Sequence, residues 1–176
     1  MTLRKTMMAA ALLSVAPLAI ADTTVELQKA TPEGPGESIG TVSFEDTPYG
    51  VLITPDISGV PANSMHGFHL HENATCQASR TDGETTPAGA AGGHFDPDNT
   101  GRHAGPYSDD GHLGDMPVLT ADGEGNITTP VLAPRLRERD LSGHAVILHE
   151  GGDTYSDTPN LGGGGARFAC GVIDPN

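Results

Sequence analysis

The chain lacks tryptophan, is poor in aromatic residues (4%) and, past position 21, holds a single lysine, Lys29. Only 36% of its 176 residues are hydrophobic, which is enough for the core of one domain. The shortage of cations excludes nucleic acid as a partner, because the formal net charge is −14 and phosphate backbones demand a basic surface. Many carboxylates beside almost no lysine resemble the composition of proteins kept solvated in high salt. The apolar run at residues 7–19 is too short to span a bilayer, so no membrane partner is expected. Against these shortages stand 24 glycines and 14 prolines, which suit an all-β domain with long loops better than a helical one.

The first residues read as a targeting segment. Arg4 and Lys5 precede the apolar run, and Ala19-Ile20-Ala21 offers small residues at a cleavage site. We expect residues 1–21 to be a signal peptide and 22–176 the single exported domain. Removing the two leader cations takes the net charge from −14 to two units lower, −16. Export also bears on the two cysteines, Cys76 and Cys170: an even count in an oxidising compartment favours a disulfide over two buried thiols. Such a bridge closes a loop of roughly 95 residues, for which the chain-entropy argument assigns about 4–5 kcal/mol.

Alternating apolar and polar residues predict eight short strands, at 23–29, 38–45, 50–57, 67–72, 117–121, 126–130, 144–149 and 167–173. Turns are expected at 32–36 and 46–49, and a loop connection at 131–141. Two long irregular stretches, 73–115 and 150–166, are rich in Gly, Pro, Asp and Asn. Loops of that length inside one domain are functional or disordered, and the histidines of the first argue for function. The fold class is therefore all-β, an eight-stranded Greek-key barrel or sandwich carrying two long functional loops.

Eight histidines are many for this composition. In Gly67-Phe68-His69-Leu70-His71-Glu72 a strand places His69 and His71 on one face and Leu70 on the other. The pair can face one metal ion, or simply stand on the surface of a half-buried strand. His94, His103 and His112, followed by Asp115, are spaced like a metal cluster in a loop. Imidazoles with one carboxylate suit zinc; imidazoles alone suit copper or zinc. Asn73 and Asn126 head glycosylation triplets of the kind that arise by chance.

The stretches GFHLHE (67–72), GGHFDP (92–97), HAGP (103–106), HLGDMP (112–117), HEGGD (149–153) and GGGGARFACGVI (162–173) together resemble the copper/zinc superoxide dismutases. VLAPRL (131–136) and the run of four glycines resemble the bacterial, periplasmic branch in particular. The resemblance covers nearly all of the chain after the leader. It implies a copper ion held by His69, His71, His94 and His149, and a zinc ion held by His94, His103, His112 and Asp115. His94 bridges the two. Arg167 is implied as the catalytic arginine beside copper, Asp153 as the carboxylate linking a copper histidine to a zinc histidine, and Cys76–Cys170 as the disulfide. His66 is implied to bond structurally rather than to a metal, and His144 is read as a non-ligand.

The activity so implied is dismutation of superoxide anion outside the cytoplasm, by a periplasmic monomer or homodimer. A second function class is an exported module of the same fold that buffers or delivers copper or zinc; the complete ligand set and Arg167 argue against it. A third, a zinc hydrolase, needs an open coordination position that four protein ligands leave no room for. Since the substrate is an anion and the chain strongly acidic, capture has to rely on a local positive field. Arg80 and Arg102 are the steering candidates, because the lysines that the family places near the channel are missing here.

Overall fold

The computed structural model describes residues 23–175; the expected signal peptide lies outside the described residues. The strands are β1 (Thr23–Thr31), β2 (Gly34–Thr47), β3 (Gly50–Ser58), β4 (Met65–His66), β5 (Phe68–His71), β6 (Ser79–Thr81), β7 (Glu84–Thr86), β8 (Leu119–Thr120), β9 (Asn126–Ile127), β10 (Val131–Ala133), β11 (His144–His149) and β12 (Arg167–Ile173). Eight of them share one antiparallel sheet in the order β10-β3-β2-β1-β12-β11-β5, with β9 also paired to β3. The chain crosses from one side of this sheet to the other between β3 and β5 and again between β10 and β11, which is the Greek-key path. The sheet curls on itself. β4 at one side pairs with β8, and a turn tied by Asp122 N to Asn126 O (2.9 Å) carries the chain into β9 on the opposite side.

Alternation explains the core. In β3, Val51, Ile53 and Ile57 point inward while Thr54, Asp56 and Ser58 face water. Pro55 is tolerated mid-strand because the outer neighbours of β3 are two separate pieces, β10 opposite Ile53 and before, and β9 opposite Ile57 and after. Phe44, Phe68, Leu70, Met116, Leu119 and Leu148 fill the barrel with these residues. β11 is apolar on both faces: Val146 and Leu148 join the main core. Ala145 and Ile147 join a smaller cluster with Ala88, Ala91 and the Cys76–Cys170 disulfide. That bridge, at a Cα–Cα distance of 5.7 Å, fastens the first long loop to β12.

Three local expectations are corrected. The 73–115 stretch contains a hairpin, β6–β7, and a 3-10 turn at Gly89–Ala91. The 131–141 connection begins as strand β10 and ends in a 3-10 turn at Glu138–Asp140. β2 starts at Gly34, so the expected 32–36 turn is confined to its first residues. In each case short-range pattern was weak and a neighbouring strand or a bonded turn decided the conformation.

Candidate metal centre

Seven of the eight histidines are buried, and only His144 is half-exposed. Backbone bonding explains how distant segments bring them together. Leu70 N donates to Gly114 O (2.9 Å), Gly114 N to Phe95 O (2.8 Å) and Phe95 N to Leu70 O (2.8 Å), a closed ring of three segments. The residues flanking that ring are His69 and His71, His94, and Asp115. Bridges His69–Asp115 and His71–His94 complete the knot. Within β5 the period of two holds, with Phe68 and Leu70 in the core and both histidines turned away from it.

Two donor groups result. His94, His103, His112 and Asp115 offer ligand atoms all within 4.8 Å of one another. Three imidazole nitrogens converge on Asp115 Oδ1: Nδ1 of His94 at 2.9 Å, of His103 at 3.0 Å and of His112 at 3.2 Å. His69, His94 and His149 form the second group within the same 4.8 Å limit. His71 stands beside it, outside that tight set, with its ring 5.0 Å from His94 and 5.7 Å from His149. His94 belongs to both groups and faces Asp115 through Nδ1, which leaves Nε2 for the other side.

Carbonyls set which nitrogen each ring presents. A carbonyl can only accept, so His71 Nδ1–H donates to Gly92 O (3.0 Å) and His149 Nδ1–H to Gly165 O (3.2 Å). The Nε2 atoms of His71 and His149 and Nδ1 of His69 are then buried without a hydrogen-bond partner. Buried polar atoms are costly when unpartnered, and these lone pairs fit a cation. Asp153 spans the two groups: His103 Nε2 lies 2.7 Å from its Oδ1, and His69 Nε2 3.2 Å from its Oδ2.

The ionisation of His71, His94 and His149 agrees with metal binding. Burial pushes His94 down to about 4, against the pull of Asp115. Burial and the neighbouring His69 push His149 down to about 3. Burial, with His94, also holds His71 well below its ordinary value. These rings are neutral at pH 7, the form that ligates. For His103 burial opposes the charge, but Asp115 and Asp153 outweigh it and raise the group to about 9. Burial would raise Asp115 and Asp153, yet the histidines bonded to them hold both well below the usual carboxylate range.

The glycine run is part of this packing. Gly162, at φ +73°, is buried against the bonded pair; a Cβ there would lie 2.1 Å from Asp153 Oδ1 and 2.7 Å from His103 Nε2. Arg167 donates Nη1 to Ala88 O and Nη2 to Gly92 O (2.6 Å), so Gly92 O serves both the guanidinium and His71. The arginine therefore rests on the loop segment that the disulfide fastens. Its head lines a pocket of about 280 Å³ together with His71, His94, His149, Asn160 and Leu161. Arg80 and Arg102 are exposed and line none of it.

Other residues act from behind. His66 Nδ1–H donates to His149 O (2.7 Å), and its Nε2 lies 2.7 Å from Ser64 Oγ. His144 lies within 3.1 Å of His71 O and 2.9 Å of Glu72 O and packs on Phe95, away from both donor groups. Sequence reasoning missed Arg135, whose Nη1 donates to His112 O (3.0 Å) and Nη2 to Gly111 O (2.8 Å). Its place in the VLAPRL stretch was a signal, but the partners are 23 and 24 residues away.

Comparison with known proteins is consistent with this geometry. The family described as copper/zinc superoxide dismutase (SODC) matches residues 38–173. A protein of Salmonella typhimurium named superoxide dismutase [Cu-Zn] 1 is 49% identical over 170 residues, 96% of each chain. The solved structure of Cu/Zn superoxide dismutase from Brucella abortus superposes with a TM-score of 0.84 at 46% identity, covering 88% of this chain and 100% of that one. The monomeric copper, zinc superoxide dismutase from Salmonella enterica gives 0.78 at 48% identity, over 88% and 100%.

Proposed function

Because the chain belongs to the copper/zinc superoxide dismutase family, we propose that its two donor groups are the copper and zinc sites of a superoxide dismutase and that Arg167 docks the substrate. The protein is an oxidoreductase with copper and zinc as cofactors. It turns two superoxide ions and two protons into one dioxygen and one hydrogen peroxide. The observation that carries the assignment of residues is His94, which is shared by both donor groups beside a half-buried arginine.

The roles follow the donor chemistry. His69, His71, His94 and His149 supply only nitrogen and suit copper; His94, His103, His112 and Asp115 supply three nitrogens and an oxygen and suit zinc. Bound copper supplies one-electron chemistry, and bound zinc supplies a fixed charge with no redox change. Arg167, held on two carbonyls, binds the anion at the pocket wall. His94 keeps Nδ1 toward Asp115 and holds or releases a proton at Nε2. Asp153 fixes the rings of His69 and His103 from behind, as carboxylates next to ligating histidines do. Removal of superoxide is an antioxidant function.

Export to the periplasm after cleavage near Ala21 is supported by the leader pattern and by the disulfide. The Salmonella enterica relative is monomeric, and light scattering of the metal-loaded protein decides between that state and a homodimer. The whole assignment is tested by reconstituting the mature protein with copper and zinc and measuring superoxide decay beside His149→Ala. Fast, copper-dependent turnover lost in the variant is expected. Tight metal binding with no turnover above the variant returns the metal-handling module.

A further inference from the structure

Tyr155 is the one aromatic residue of the second long loop, 150–166, and the dismutase assignment leaves it without a role. It is half-buried, at a left-handed backbone angle (φ +55°) that an aromatic residue rarely adopts. Gly or Asn would take that conformation at less cost, so the side chain must be what holds it there. Its hydroxyl oxygen accepts from the backbone N of Val118 (3.0 Å), 37 residues away and just past Asp115. Its ring lies on Gly105, where a Cβ would stand 2.6 Å from Tyr155 Cβ and Cγ. Gly105 N in turn donates to Asp115 Oδ2 (3.3 Å), beside Ala104 N (3.0 Å). The ring therefore leans on the segment between His103 and Asp115, and the hydroxyl on the segment after it. Tyr155 N meanwhile donates to Asp153 Oδ1 (2.7 Å), the same oxygen that His103 Nε2 meets at 2.7 Å. The flanking backbone is tied as well: Thr154 N donates to Gly162 O (3.1 Å) and Gly162 N to Ser156 O (3.0 Å).

Asp153 has to place two oxygens at once, Oδ1 on His103 and Oδ2 on His69 (3.2 Å). A carboxylate carried on an irregular loop keeps such a setting only where the loop is fastened, because loop backbone lacks a ladder of its own. Tyr155 stands two residues from Asp153, bonds to it, and rests on both sides of Asp115. We propose that Tyr155 is a positioning residue of the two-metal centre: its ring and hydroxyl wedge the second long loop onto the zinc-side segment and so keep Asp153 between His103 and His69. This rests on the copper and zinc assignment above. One side chain thereby couples the geometry of the zinc group to the orientation of His69 on the copper side.

The test loads the mature protein with copper and zinc and compares wild type with Tyr155→Phe, Tyr155→Leu and Tyr155→Asn. One readout is the rate of zinc release to a chelator. The other is the visible absorption and electron paramagnetic resonance of bound copper(II) with zinc in excess. Tyr155→Phe keeps the ring on Gly105 and loses one neutral hydrogen bond, so zinc release should quicken about fivefold. Tyr155→Leu loses the ring as well; it should quicken release at least about thirtyfold and shift the copper spectrum, because His69 is no longer held in orientation. Tyr155→Asn suits the left-handed backbone, should behave as Tyr155→Leu does, and replaces it should the leucine variant fold poorly. Tyr49→Leu, on the β2–β3 hairpin, should change neither readout. Wild-type zinc release in Tyr155→Leu and Tyr155→Asn overturns the inference. So does faster release with an unaltered copper spectrum at saturating zinc, which would make Tyr155 a loop stabiliser and nothing more. A metal-loaded wild type that removes no superoxide overturns the dismutase assignment alone, since neither readout depends on turnover.

Discussion

Replacing Gly162 by alanine separates packing on the metal centre from backbone conformation. The backbone there is left-handed (φ +73°), which costs an L-residue roughly 1–2 kcal/mol. Gly165 has nearly the same φ (+71°) but no atom within 4 Å of where a methyl group would stand, so Gly165→Ala carries the backbone cost alone. At Gly162 the methyl would sit 2.1 Å from Asp153 Oδ1 and must drive the carboxylate off His103. A hydrogen bond to a charged group contributes about 1.5–3 kcal/mol, and that is the expected difference between the two variants. Urea unfolding of the metal-free protein measures it as a shift in midpoint at constant slope. Zinc retention against a chelator should fall for Gly162→Ala and stay near wild type for Gly165→Ala. Equal stability losses and equal retention would refute the claim that Gly162 is there to admit the Asp153–His103 contact.

Arg167→Glu should lower kcat/KM for superoxide at least a hundredfold, a loss of about 2.7 kcal/mol, whereas Arg139→Glu, on the exposed turn after β10, should change it less than twofold; similar losses would remove Arg167 from its docking role. Arg135→Ala should speed zinc loss to a chelator with copper affinity little changed, and Arg135→Lys should rescue only part of it, because one ammonium does not reproduce two forked donations. The metal-free protein should lose stability as pH falls below about 6.5, since the unfolded chain takes up protons that His94 and His149, pushed down to about 4 and about 3, refuse until lower pH. His103, raised to about 9, acts oppositely: its contribution is complete below about 6.5 and is lost as pH rises through 9. Urea midpoints across this range check both signs, and a midpoint that improves on acidification below 6.5 would contradict the first.

What the chain carried by itself was local. The alternation in 67–72 dictated that His69 and His71 leave the core on one face while Leu70 enters it, because successive strand side chains diverge. The apolar run at 144–149 marked β11 as a doubly buried strand, and the spread of Gly and Pro marked the two long loops. Motif content further named every residue of the two donor groups. Other features required the folded chain, since they join residues far apart in sequence through backbone groups that no side-chain pattern encodes. Among them are the Leu70–Phe95–Gly114 ring that assembles the ligands, the Arg135 grip on the 111–112 carbonyls, and the carbonyl of Gly92 serving both His71 and Arg167. Charge count revealed an acidic protein, but only three dimensions decided that Arg167 lines the pocket while Arg80 and Arg102 do not, because an electrostatic field depends on distance and not on composition.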